Sequence, residues 1–192
     1  SNPRLEEDLA LIVKHKVPIV ITSLGAVSDL VDAVHSYGGI VLHDVTNIDH
    51  AKKAIAAGVD GLIAVSAGAG GHAGTMNPLT LVNELRGIYD GMIVLAGGLT
   101  TGRDVFTAEA MGADFAYMGT RFICTTESSA DPAYKQMVLD AKPADIIYTS
   151  AVSGVPANFL KDSLTKAGFD VEQLKKEGGA AGKLKPIANE AA

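Results

Sequence analysis

The chain has 192 residues, 47% of them hydrophobic, and a formal net charge of −6. That is enough apolar material for one sizeable core, while an acidic balance without a basic, aromatic-interleaved patch excludes nucleic acid as the main partner. The longest aliphatic runs are about five residues, against the ~20 a membrane helix needs, and the single cysteine, Cys124, excludes a disulfide framework or a cysteine-rich metal site, so a reducing, cytoplasmic setting is expected.

The leading segment reads as a helix over about residues 4–15, and VPIVIT (17–22) as a strand. Val27, Leu30, Val31 and Val34 then share one helical face, stopped by Gly38-Gly39. GIVLHDV (39–45) is a second strand; Ile48, Ala51 and Ile55 mark the next helix, stopped by Gly58. GLIAVS (61–66) is a third strand, with a helix expected near 78–88, and MIVLAGG (92–98) a fourth. Thr101-x-x-Asp104 reads as a capping box opening a helix that ends at Gly112, and FAYMGT (115–120) is a fifth strand. These strands are rich in β-branched residues and apolar on both parities, as buried parallel strands are. Beyond residue 125 the pattern loosens to a helix over 131–141, a loop-rich stretch over 146–160, and a lysine-, glycine- and alanine-rich segment over 161–192 expected to be peripheral.

AIAAGVDGLIAVS (54–66) aligns with AEAMGADFAYMGT (108–120), each reading as helix end, glycine stop, aspartate and buried strand. Repeated βα units leave two architectures open: a doubly wound sheet or a (β/α)8 barrel. In both, ligands meet the carboxyl ends of the strands. Gly97-Gly98 follows the fourth strand and precedes a capped helix whose free N–H groups suit an anion. Gly119-Thr120 ends the fifth, and Thr120-Arg121 could open a short helix. Two such turns in succession read as a phosphate site, with ordinary βα turns as the alternative. In the wide gap after the third strand lies AGAGGHAG (67–74), four glycines around His72. Either the glycines let backbone lie against a planar ligand beside an imidazole that acts as base or hydrogen-bond donor, or the loop is flexible and the histidine solvated. No second histidine or carboxylate stands at ligand spacing within it, so no metal is expected. His43 and Asp44 end the second strand and are expected at the mouth of the pocket. His15, His35 and His50 read as surface residues, Cys124 as a small packed hydrophobe, and Tyr148 carries no mark of function.

The blocks GLIAVSAGAGGHAG, VLAGGLTTGRDVFTAEAMGADFAYMGTRF and SGVPANFL, in this order, resemble the nitronate monooxygenase family from about Asn2 to Leu164. The resemblance implies a TIM barrel that binds FMN and oxidises alkyl nitronates with O2 to carbonyl products and nitrite. It makes His72 the active-site histidine, sets Gly70 and Gly71 beside the cofactor, and assigns Gly98, Tyr117, Met118, Gly119 and Thr120 to the ribityl phosphate, in agreement with the phosphate site at Gly97-Gly98 read from spacing. Ser153 and Gly154 match a family loop near the flavin. Gly68 stands where many members carry an acidic residue, and Asp44 where some carry lysine, so Asp44 reads as a core or supporting carboxylate. The family barrel has eight strands; the five counted here correspond to the fourth to eighth. The chain is therefore expected to be a fragment: a partial FMN-binding barrel over 1–160 and a truncated helical segment over 161–192, with an exposed apolar sheet face. Two alternatives remain: an FMN-dependent NAD(P)H enoyl-thioester or quinone reductase of similar barrel type, or an inactive truncated domain.

Overall fold

The computed structural model describes residues 3–25 and 28–176. In chain order the elements are α1 (Leu5–His15), β1 (Ile19–Thr22), α2 (Ser28–His35), β2 (Ile40–Val45), α3 (Ile48–Ala56), β3 (Gly61–Val65), β4 (Gly71–His72), α4 (Pro78–Arg86), β5 (Met92–Ala96) and α5 (Gly102–Ala110). There follow β6 (Phe115–Tyr117), α6 (Thr120–Ile123), α7 (Pro132–Asp140), a 3-10 turn at Pro143–Asp145, β7 (Ile146–Thr149), β8 (Ala157–Leu160), α8 (Lys161–Lys166) and α9 (Val171–Lys176). They form two compact units. Of the described residues, one takes 3–25, 28–67 and 75–117; the other takes 68–74 and 118–176. The boundary expected after residue 160 does not coincide with this division. Residues 177–192 of that expectation, and Val27, lie outside the described residues.

The first unit is a five-stranded, all-parallel sheet in the order β1-β2-β3-β5-β6. Each strand is joined to the next through a helix, as parallel pairing requires. Strand alternation assigns Val20, Val41, Val45, Leu62, Ala64, Ile93 and Leu95 to one face, where they pack with Leu30, Val31 and Val34 of α2 and Leu81, Val82 and Leu85 of α4. Helices α3 and α5 contribute mainly the small side chains Ala51, Ala54 and Ala108. The other face carries Leu42, Ile63, Val94 and Ala96, buried as a second cluster, while Ile19, Ile21, Phe115 and Tyr117 on the two edge strands are exposed. The exposed apolar sheet face expected from five open strands is thus confined to the two edge strands, since the middle of that face is buried.

The sequence echo has a physical counterpart. The backbone N–H of Asp60 donates to Val41 O at 2.9 Å, and its carboxylate accepts from Val41 N at 2.7 Å. Asp114 does the same to Ile93, at 2.8 and 2.7 Å. Each aspartate latches the amino end of a parallel strand pair, β2–β3 or β5–β6. A basic side chain holds each latch: His35 Nε2 reaches Asp60 at 2.8 Å and Arg86 Nη2 reaches Asp114 at 2.6 Å. Arg86 also donates to Gly112 O and Gly91 O.

The second unit corrects two expectations. Residues 146–160 are not loop-rich: β7 and β8 form an antiparallel hairpin, and β4 pairs along the outside of β8 to make a three-stranded sheet. The segment after 160 is not peripheral as far as it is described. Leu164, Val171 and Leu174 are buried with Ile147 and Ala151 in this unit's own core. Apolar residues spread over two six-residue helices give too short a period to read in sequence.

Candidate functional site

At the carboxyl edge of the parallel sheet, the register Ala96↔Tyr117 sets the turn Gly97-Gly98 and the end of β6 side by side. Both glycines have positive φ, +125° and +71°. Their surroundings differ. A Cβ on Gly97 would collide with Ser66 Oγ and come within 3.1 Å of Ser66 O, whereas one on Gly98 would meet nothing within 4 Å. What Gly97 accommodates is therefore Ser66, a fully buried residue whose hydroxyl donates to Ala96 O at 2.9 Å. Sequence reasoning missed Ser66, because a serine ending an apolar run carries no signal. Gly98 is the member of the pair whose backbone borders open space.

The next helix was expected to offer free amides. Thr101 and Asp104 do form the capping box. Yet the Asp104 carboxylate accepts from Thr101 N at 2.7 Å and Thr100 N at 2.9 Å, and those amides hold its carboxyl below the usual carboxylate range. Two donors just before α5 are thus committed to the chain's own carboxylate.

His43 and Asp44 do not share a destination. His43 lies on the helix-covered face, 4% exposed, with Nδ1 2.6 Å from Thr22 Oγ1; burial pushes its imidazole pKa down. Asp44 projects from the opposite face near the carboxyl end of β2, half-buried and bonded to the Ser23 hydroxyl. Burial raises its carboxyl above the ordinary value, with Ser23 and His43 opposing. Apart from His43 it is the sole ionisable side chain of the acid–base type in the five described strands bar the terminal Tyr117, so among those strands Asp44 alone presents a carboxyl to the face opposite the helix-packed one.

In the second unit, Gly71 and His72 are a short strand, paired Gly71↔Asn158 and His72↔Ala157. Gly68 and Gly71 adopt φ of +92° and +75°, which explains two of the four glycines. Gly70 serves close approach: a Cβ there would collide with Thr120 Oγ1. The glycine–histidine loop thus lies against the first residue of α6, although 50 positions of sequence separate them. His72 is exposed. The neighbouring Ala69 and Ala73 are buried, with carbonyls taken by Asn158 Nδ2 at 2.7 Å and Tyr148 Oη at 3.2 Å. Gly119 has open space at its Cα, and Met118 is half-buried. Ser153 and Gly154 build the hairpin turn: Ser153 Oγ donates to Val155 O at 3.0 Å and Gly154 N to Ser150 O at 2.7 Å. Cys124 is half-buried, as expected of a packed thiol. His15 and His50 are exposed on helices, and His35 is engaged by Asp60.

Of the residues singled out in sequence, Gly97, Gly98 and Tyr117 fall in the first unit; Gly70, Gly71, His72, Met118, Gly119 and Thr120 fall in the second. A flavin needs glycine backbone bordering free space and a hydroxyl donor; within the second unit Gly71 and Gly119 with Thr120 fit that demand, and in the first unit Gly98 supplies glycine backbone bordering free space. Among the described residues no helix is long and apolar enough to cross a membrane.

Comparison with known proteins agrees with this architecture. The family profile described as nitronate monooxygenase matches residues 4–185. A nitronate monooxygenase of Paraburkholderia phytofirmans is 31% identical over 172 residues, covering 84% of this chain and 47% of that protein. Among solved structures, FabK from Thermotoga maritima superposes with a TM-score of 0.77 at 28% identity, over 92% of this chain and 58% of that one. Nitroalkane oxidase from Streptomyces ansochromogenes gives 0.78 at 28% identity, over 95% and 53%. The chain therefore spans about half the length of the relatives it matches. Its five parallel βα strands are part of a TIM-type barrel, and the chain belongs to the nitronate monooxygenase family.

Proposed function

We propose that this chain carries the cofactor and histidine segments of an FMN-dependent oxidoreductase that converts alkyl nitronates and O2 to carbonyl compounds and nitrite. The observation that carries the reading is the seating of Gly70 against Thr120. It joins the loop of His72 to the MGTR segment, the two blocks on which the family resemblance rests. FMN, when bound, supplies the electron transfer to O2. The assignment that accompanies this reading is His72 toward substrate, Gly70 and Gly71 beside the flavin, and Gly98, Tyr117, Met118, Gly119 and Thr120 toward the ribityl phosphate, with Gly97 shaping the turn by its packing on Ser66.

A nitronate has already lost its carbon-bound proton, so His72 serves it by hydrogen-bonding the nitro oxygens. A neutral nitroalkane still holds that proton, and the imidazole accepts it from carbon. His72→Asn should therefore lower turnover of a neutral nitroalkane by about 10²-fold or more and change FMN affinity far less.

The first experiment is a titration of the 192-residue chain with FMN, followed by flavin absorbance and fluorescence, then incubation with propane-2-nitronate under air. Saturable binding with a perturbed flavin spectrum, followed by nitrite release, is the expected result. Bound flavin that NADH bleaches anaerobically, and that a nitronate leaves oxidised, would replace the reading with the reductase alternative. No binding at all would leave this chain an inactive piece.

A further inference from the structure

The loop that carries His72 has almost nothing of its own to hold its shape. From residue 67 to 74 the imidazole is the one side chain larger than a methyl. Hydrophobic packing gives such a segment little order, and glycine makes its backbone entropically expensive to fix. The fixing groups come from the β7–β8 hairpin. Strand register aligns Tyr148↔Asn158↔Gly71 in one cross-strand row and Thr149↔Ala157↔His72 in the next. Residues directly opposite share a face, and successive rows face opposite ways. Tyr148 and Asn158 therefore lie on the side of this small sheet away from the imidazole. From there Asn158 Nδ2 donates to Ala69 O at 2.7 Å and Tyr148 Oη to Ala73 O at 3.2 Å. The two bonds grip the chain on both flanks of His72 from the opposite side of the sheet, while the row that His72 shares with Thr149 and Ala157 is buried at those two residues and the imidazole itself, at the sheet's edge, is exposed.

We propose that Asn158 and Tyr148 are positioning residues for His72: by clamping the carbonyls of Ala69 and Ala73 they fix the direction in which the imidazole leaves the sheet. The proposal rests on the reading of His72 as the group that meets substrate. Neither residue touches the reacting atoms; Asn158 acts on the chain three residues before His72 and Tyr148 one residue after it.

The test uses Asn158→Asp, which keeps the shape but replaces the donor with an acceptor, and Tyr148→Phe, which removes one hydroxyl. Amide hydrogen exchange at Gly70–Gly74 should quicken about tenfold in each, the worth of one net hydrogen bond, while Ile147 and Phe159 in the hairpin stay within about twofold. Unchanged loop exchange overturns the proposal. So does equal acceleration in loop and hairpin, which is the mark of a general loss of stability. In the flavin-loaded chain, each variant should lower kcat for neutral 2-nitropropane by about tenfold with KM little changed, and lower it no further in a His72→Asn background. Additive losses in that background overturn the link to His72. If the unaltered chain turns over no nitroalkane, the functional reading fails, and the exchange measurement still decides the clamp.

Discussion

Replacing Asp114 with alanine removes one latch of the parallel sheet. Its carboxylate accepts from Ile93 N at 2.7 Å and from Arg86 Nη2 at 2.6 Å. Ile93 is fully buried, so its N–H loses its partner in a place water reaches poorly; that costs about 1–3 kcal/mol. The Arg86 pair adds less. The two side chains are 29% and 46% exposed, and solvent screening limits such a pair to about 0.2–1 kcal/mol. Arg86 itself keeps Gly112 O and Gly91 O, so no orphaned cation is left behind. The sum is about 1–4 kcal/mol for Asp114→Ala. Asp114→Asn, whose amide oxygen still accepts from Ile93, should cost about 1 kcal/mol.

Urea denaturation followed by circular dichroism gives the free energies, and amide exchange at Ile93 gives the local opening. The internal repeat supplies a control, since Asp60→Ala removes the matching bond to Val41 N and should cost a similar amount. The pH dependence has a defined sign. The Ile93 amide, with help from Arg86, depresses the Asp114 pKa below that of the unfolded chain. Its contribution is present above the unfolded carboxylate pKa of about 3.9 and is lost as pH falls through the lower folded value. The gap between wild type and Asp114→Ala should accordingly narrow as the pH falls below about 4. A loss under about 1 kcal/mol, equal for alanine and asparagine, would refute the latch, because the buried amide would then have found another partner.

Gly97→Ala should destabilise by more than Gly98→Ala. Both impose a positive φ, at about 1–2 kcal/mol, but only the first also drives a methyl into Ser66, so comparing their thermal midpoints tests the packing account. Gly70→Ala should loosen the glycine–histidine loop by collision with Thr120, and Thr120→Ala should relieve much of that effect; a pair of additive changes in a double-mutant cycle would show that the two do not touch. Asp44 carries a raised carboxyl pKa, caused first by burial. Its favourable contribution is present below the unfolded pKa and is lost as pH rises through the folded one. Asp44→Asn should therefore raise stability at pH 7 relative to wild type and give no gain at acid pH, as measured by urea midpoints at both.

The sequence by itself determined the repeating βα order, because strands buried on both faces and helices with one apolar stripe leave different periods in the chain. It located the capping box of Thr101 and Asp104, the two latching aspartates of the internal echo, and the glycine blocks that identify the family. Those features are local, and local chemistry writes them. The tertiary structure alone decided which of two adjacent glycines is packed and which is open, since that turns on Ser66, some thirty residues away. It alone separated His43 from Asp44, because the strand's alternation sends neighbours to opposite faces and only the packed structure says which of the two the helices α2 and α4 occupy. The hairpin over 146–160 was illegible for the same reason. Its outer partner is the two-residue strand Gly71-His72, whose pairing is specified by backbone hydrogen bonds and by the carbonyl grips of Asn158 and Tyr148, neither of which has a periodicity to read.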